Sequence, residues 1–391
     1  MSRPRLSMLV LLAFSLASAA SSAADCAAAG GPANDDVCHG APQEDEFEGT
    51  SLMARRVSKS LTSKPLEEAS VTQVDSTCSF PNAFAVDRSA LAVSEDSEAT
   101  AYSTVTVSDA KALAKKFARP APYNDFIFTT FQGSNAFVRF WYSHLAAVGA
   151  QQQALMLTFA PEDCKGLPRQ SCVVHELGDM LRTMHEDAVP KSDGGQIQGG
   201  ALAVVSKWVW AHAFAEAGYN VIFSDSDVAF VKNPFDYWWG GEPRKFDVMG
   251  LSDWRAAASA PNLPYCTSLP QPRHLKCQST GIMFFRSNPR VTSVLADMVG
   301  EAAPPGRIWE QELWQKYIPR LVDEYKGTYT LLPVASFMNE EYVSSNTAQD
   351  KAVAVHMGYV GGACLKMEKF QCLGLGVKGL EGDARAMCGR T

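Results

Sequence analysis

The chain has no Cys-x-x-Cys pair among its 10 cysteines, so a structural zinc site lacks its usual ligand spacing. It has no run rich in Lys and Arg, and so no electrostatic footprint for nucleic acid. No segment repeats, which excludes a stacked-repeat array. Residues 6–24 carry no charge. Net charge is also missing beyond residue 100: residues 101–391 hold 28 acidic and 28 basic side chains, whereas residues 25–100 hold 14 acidic and 5 basic. The overall charge of −7 therefore belongs to the N-terminal segment. What is present is ample material for a core, with 46% of 391 residues apolar and 10% aromatic. That length fits one large domain or two ordinary ones.

Arg3 and Arg5 precede an apolar run over residues 6–16, and small residues follow, with Ala17-Ser18-Ala19 and Ser22-Ala23-Ala24 as cleavage sites. This is the form of a secretory address. The uncharged stretch approaches the roughly 20 residues of a membrane span, so residues 1–24 read either as a cleaved signal peptide or as a signal-anchor, a single N-terminal membrane anchor. Both place the bulk of the chain in the lumen of the secretory pathway. In that oxidising compartment the even cysteine count reads as disulfides across local loops, with Cys26/Cys38, Cys164/Cys172, Cys266/Cys277 and Cys364/Cys372/Cys388 as neighbours. Residues 25–119 read as an acidic, low-complexity lumenal stem. It closes with a helical stretch over 108–118, capped by Ser108 and broken by Arg119-Pro-Ala-Pro-Tyr123.

From Asn124 the pattern changes. Apolar, β-rich runs at 126–130, 154–159, 220–223, 228–231, 246–251, 280–285, 329–332 and 352–355 alternate with helical stretches at 136–148, 200–218, 289–299 and 309–317. The alternation predicts an α/β domain over 120–391 with a mainly parallel sheet covered on both faces. The helix at 200–218 is apolar nearly all round, which marks it as buried. The Cys-rich region 256–278 and the C-terminal tail read as irregular.

The chemistry concentrates at the end of the 220–223 strand, where Asp225-Ser226-Asp227 precedes a second apolar run ending at Asn233-Pro234. Ligands of open α/β sheets sit at the carboxyl ends of strands. Residues i and i+2 of a strand point to one side, so both carboxylates are expected to face one site. Hard oxygen ligands suit Mn²⁺, Mg²⁺ or Ca²⁺, with a diphosphate on the far side of the ion. His356 ends a strand and can give a neutral imidazole to the same metal. The glycines that follow, Gly358 among them, let backbone N–H groups approach an anion, and Lys366 lies in reach of a phosphate. Lys207 interrupts the apolar helix and needs a partner: a nucleotide phosphate, or a route to solvent. Asp253 and the pair Glu310-Gln311 stand where they could meet sugar hydroxyls. Trp208, Trp210 and Trp309 read as core.

The run from Gly218 to Phe235, Gly-Tyr-Asn-Val-Ile-Phe-Ser-Asp-Ser-Asp-Val-Ala-Phe-Val-Lys-Asn-Pro-Phe, resembles the signature of the nucleotide-diphospho-sugar transferase family, which includes plant cell-wall arabinosyl- and xylosyltransferases. Lys207, Ser252-Asp253, the Thr280-Gly281 segment ending at Arg286, and Val355-His356 with Lys366 fit in the same order, so the likeness spans roughly residues 124–370. The resemblance implies a GT-A-type, Rossmann-like fold and a nucleotide-diphosphate sugar as donor. It implies a divalent ion on Asp225, Asp227 and His356, and a glycan or protein hydroxyl as acceptor, in the Golgi lumen. It carries donor-binding roles to Lys207, Ser226, Ser279, Gly281, Gly358 and Lys366, catalytic or positioning roles to Asp253, Glu310 and Gln311, and retention of configuration. Two positions depart from the family: Ser279 stands where Asn is usual, and Glu310 where Asp is common. Two other classes share features of the sequence: a non-catalytic carbohydrate-binding scaffold on a transferase fold, and an Asp-x-Asp phosphatase, against which Ala229 and the absence of Gly after Asp227 count.

Overall fold

The computed structural model describes Phe84 and residues 102–133, 136–176, 201–252, 278–302, 310–345, 350–358, 360, 362–377 and 380, all within one compact unit, Asp75–Thr391. Residues 1–24, Asp253 and Trp309 lie outside the described residues. No helix among the described residues is long and apolar enough to cross a membrane.

Eight strands form the main sheet in the order β1 (Thr104–Val105), β4 (Cys172–His175), β3 (Ala154–Thr158), β2 (Asp125–Phe131), β5 (Asn220–Ser224), β8 (Gln278–Phe285), β7 (Val248–Ser252), β9 (Tyr329–Leu331). Every neighbouring pair is parallel except those made by β8, which runs antiparallel to β5 and β7. Alternation along the strands sorts side chains to two faces. Phe126, Phe128, Val221, Phe223, Met283 and Phe285 pack on one side with helices α1 (Ala110–Phe117), α3 (Ala201–Glu216), α5 (Pro289–Ala302) and α6 (Glu310–Pro319). Ile127, Ile222, Ile282 and Phe284 pack on the other with α2 (Ala136–Ala147) and α4 (Pro234–Trp239). The expected α/β class, mainly parallel and covered on both faces, is what the chain adopts.

A second sheet of three strands lies beside the first, with β10 (Phe337–Asn339) parallel to β11 (Ala354–His356) and β11 antiparallel to β6 (Val228–Phe230). Its core, with Phe140, Ala229, Val355, Met357, Met367 and Phe370, joins the outer side of α2 to α8 (Ala363–Cys372). The short helix α7 (Glu340–Ser345) packs Val343 into the same cluster. Phe84 enters it too and donates its N–H to Leu373 O at 2.9 Å. His144 of α2 sets its two ring nitrogens against Phe230 O and Leu375 O, which ties the two ends of this layer together.

Several details differ from the sequence expectation. Ser108 does not cap the first helix. Thr106 and Asp109 do so, with Asp109 Oδ2 accepting from Thr106 N (2.8 Å) and from its hydroxyl (3.0 Å), so Ser108 falls inside the opening turn. Residues 104–117, placed in the stem by composition, supply the edge strand β1 and the packed helix α1. The C-terminal region is not wholly irregular, because residues 363–372 are helical. Cys164 and Cys172 are bonded as expected. Cys364 and Cys372 are also disulfide-bonded. They stand about 12 Å apart along one helix at 1.5 Å per residue, beyond the reach of one bridge, so they are not bonded to each other.

Candidate metal and nucleotide-sugar site

Helix α3 is followed two residues on by Gly218, whose φ of 92° suits a residue without a Cβ. The turn is closed by Tyr219 N donating to Phe214 O at 3.0 Å. It feeds β5 directly into the middle of the main sheet. Asp225 follows the last residue of β5 and Asp227 precedes the first of β6, so the Asp-Ser-Asp turn is the crossing from the large sheet to the small one. Asp225 N donates to Gly281 O of β8 (2.8 Å), and Asp227 O accepts from Met357 N just beyond β11 (3.2 Å). The register that pairs His356 with Val228 brings the imidazole beside the carboxylates.

Asp225, Asp227 and His356 offer ligand atoms that all lie within 4.8 Å of one another. His356 Nε2 is 3.4 Å from Asp227 Oδ1 and 3.8 Å from Asp225 Oδ2. Two carboxylate oxygens and an imidazole nitrogen are a donor set for a divalent ion of the Mn²⁺ or Mg²⁺ kind. The ring is held in a slot: a Cβ on either Gly281 or Gly358 would stand 2.4 Å from His356 Cε1. Gly358, read in the sequence for backbone approach to an anion, and Gly281, given a donor-binding role by the resemblance, have here a further reason to be glycine.

Each aspartate divides its two oxygens. Asp227 turns Oδ2 to the ammonium of Lys366 on α8, and Asp225 turns Oδ1 to Lys207 Nζ at 3.6 Å. Burial works to raise the carboxyl of Asp227, but His356 and Lys366 outweigh it and hold the group far below the usual carboxylate range. Burial raises that of Asp225, against the pull of Lys207. Lys207 is 2% exposed. Burial works to lower its ammonium, but Asp225 and Glu310 more than offset this and hold it above its ordinary value.

The other sequence candidates distribute as follows. Ser226 is half-buried at the apex of the turn. Ser279 is buried in β8, and its hydroxyl oxygen accepts from Gly281 N at 3.2 Å. Glu310 opens α6 and accepts from Lys207 Nζ (3.2 Å) and the Thr280 hydroxyl (3.0 Å), while Gln311 is buried beside it. Asp253 lies outside the described residues. Thr280, named in the sequence only as part of the Thr280-Gly281 segment, joins the site through its hydroxyl. His175, at the carboxyl end of β4, was unread. It is 1% exposed, packs against Phe159 and Trp210, and neither ring nitrogen finds a hydrogen-bond partner among the described residues.

Comparison with known proteins decides the family. The profile of the nucleotide-diphospho-sugar transferase family matches residues 175–370, half of the chain. The chain belongs to that family. The matched span contains every described residue of the acidic turn, the imidazole and both lysines, and it decides against a phosphatase. No curated protein sequence matches the chain. Among solved structures, this transferase-family chain is similar to the galactosyltransferase LgtC in complex with donor and acceptor sugar analogs. The identity is 9% and the TM-score 0.37, covering 68% of this chain and 96% of that one. It is similar to mouse xyloside xylosyltransferase 1, apo form, at 10% identity and a TM-score of 0.33, over 60% of this chain and 98% of that one. It is similar as well to the WbbM bifunctional glycosyltransferase at 11% identity and a TM-score of 0.39, over 62% of this chain. The chain spans about half of that protein's length, 47%.

Proposed function

We propose that the protein is a metal-dependent glycosyltransferase that moves a sugar from a nucleotide-diphosphate donor to a hydroxyl of a glycan or protein in the Golgi lumen. The observation that carries this reading is the convergence of Asp225, Asp227 and His356 on one point at the carboxyl end of the central strand, in a chain of this family. Those three residues would hold Mn²⁺ or Mg²⁺. A divalent ion there supplies positive charge that stabilises a departing diphosphate. Lys366 spends one ammonium N–H on Asp227 and has two more for phosphate oxygens. Asp253, Gln311 and the Ser279 segment are assigned to orienting the donor sugar and the acceptor, with retention of anomeric configuration. The secretory placement is supported by residues 1–24 and by the Cys164–Cys172 disulfide.

A donor screen with the purified chain, with Mn²⁺ present and absent, tests this. Transfer or slow hydrolysis of one nucleotide sugar is expected with Mn²⁺. Asp227→Asn should lower the rate at least 100-fold with an unchanged far-UV spectrum. Full activity in excess chelator sinks the metal, and sugar binding without turnover favours the scaffold.

A further inference from the structure

Lys207 is the seventh residue of a helix that is otherwise apolar on nearly all sides, and its ammonium ends deep behind the acidic turn. Three oxygens surround Nζ: Glu310 Oε1 at 3.2 Å, Thr280 Oγ1 at 3.3 Å and Asp225 Oδ1 at 3.6 Å. An ammonium has three N–H groups; two are spent on the hydrogen bonds to Glu310 and Thr280, and the ammonium also stands in ion-pair contact with Asp225. The ring of Phe223 covers it at 4.7 Å. The Thr280 hydroxyl donates to the same Glu310 oxygen at 3.0 Å, which closes a small ring of contacts between α3, β8 and α6. Asp225 presents its second oxygen, Oδ2, to His356. A buried cation with two carboxylates and a hydroxyl around it is satisfied where it is, and a phosphate outside the turn would have to draw it away from all three.

We infer that Lys207 is a positioning residue rather than a donor-phosphate ligand: with Glu310 and Thr280 it clamps one oxygen of Asp225 so that the other faces the metal point. Glu310 on this account acts through Lys207 and not on the sugar. The inference rests on the metal reading above, and the two are separable by experiment. Outer partners that orient ligating carboxylates are worth 10- to 100-fold in metal affinity.

The test is Mn²⁺ binding by calorimetry to the full chain without nucleotide, followed by nucleoside-diphosphate binding at saturating Mn²⁺. Lys207→Met should weaken Mn²⁺ binding about 10- to 100-fold and leave nucleotide affinity within about threefold once the metal is saturating. Lys207→Arg should recover part of the metal affinity. Wild-type Mn²⁺ affinity together with a large loss of nucleotide affinity in Lys207→Met would overturn the inference. Should Lys207→Met fail to fold, Thr280→Val keeps every charge and should still weaken Mn²⁺ binding severalfold; unchanged binding there overturns the inference equally. Asp227→Ala should abolish Mn²⁺ binding, and a wild-type affinity in that variant overturns the metal reading and this inference with it.

Discussion

An imidazole wedged between two glycines leaves no room for a methyl group on either. Gly281→Ala places a carbon 2.4 Å from the His356 ring, so the ring must leave its slot. The expected result is a folded protein with at least tenfold weaker Mn²⁺ binding; retention of wild-type affinity would show that the ring is not a ligand. A second prediction concerns His175. Burial lowers its pKa to about 4 from 6.5, so the folded state keeps it neutral while the unfolded chain protonates near pH 6.5. The stability this gives is complete above pH 6.5 and is lost as pH falls toward 4, a change of about 3 kcal/mol. Denaturant titrations of His175→Leu should show a shallower loss of stability between pH 6.5 and 4 than the wild type, and parallel curves would refute the assignment. At this scale the sequence was informative for the acidic pair and for His356, because a strand end names its own geometry. It was uninformative for the partner of Lys207, because Glu310 is remote in sequence and only packing brings it there.

Elements carry the next level. Helix α3 is legible because no polar face interrupts it, and its burial follows from that pattern alone. Phe214 is fully buried in it, with its ring 4.8 Å from Phe126, 5.4 Å from Phe128 and 5.2 Å from Trp210. Phe214→Ala should cost about 3–5 kcal/mol, read as a lowered urea midpoint at constant slope. Strands β2, β3, β5 and β8 were equally legible as apolar runs bounded by turn residues. Strands β4 and β10, four and three residues long, were not read from the sequence. Helix α8 was missed as well. Its two cysteines read as loop staples, and Met367 and Phe370, which face the core, make a pattern of a single turn.

At the scale of the molecule, crosslinking and ligation set the margins of stability. The Cys164–Cys172 bridge closes a loop of sequence separation 8 between β3 and β4. By the loop-entropy relation its removal should cost about 2–3 kcal/mol, measured as the stability difference between the wild type and the double variant Cys164→Ala/Cys172→Ala. Equal stability would locate the order of that loop in packing instead. The cation site has a consequence of a different kind. One aspartate is fastened to the backbone of the eight-stranded layer and the other to that of the three-stranded layer. An ion gripping both is therefore a rivet through two plates, added to chain crossings such as the turn at Asp225–Asp227 and the link from β9 to β10. Loading it should slow amide exchange at Val355 and Met357, on either side of the His356 ligand.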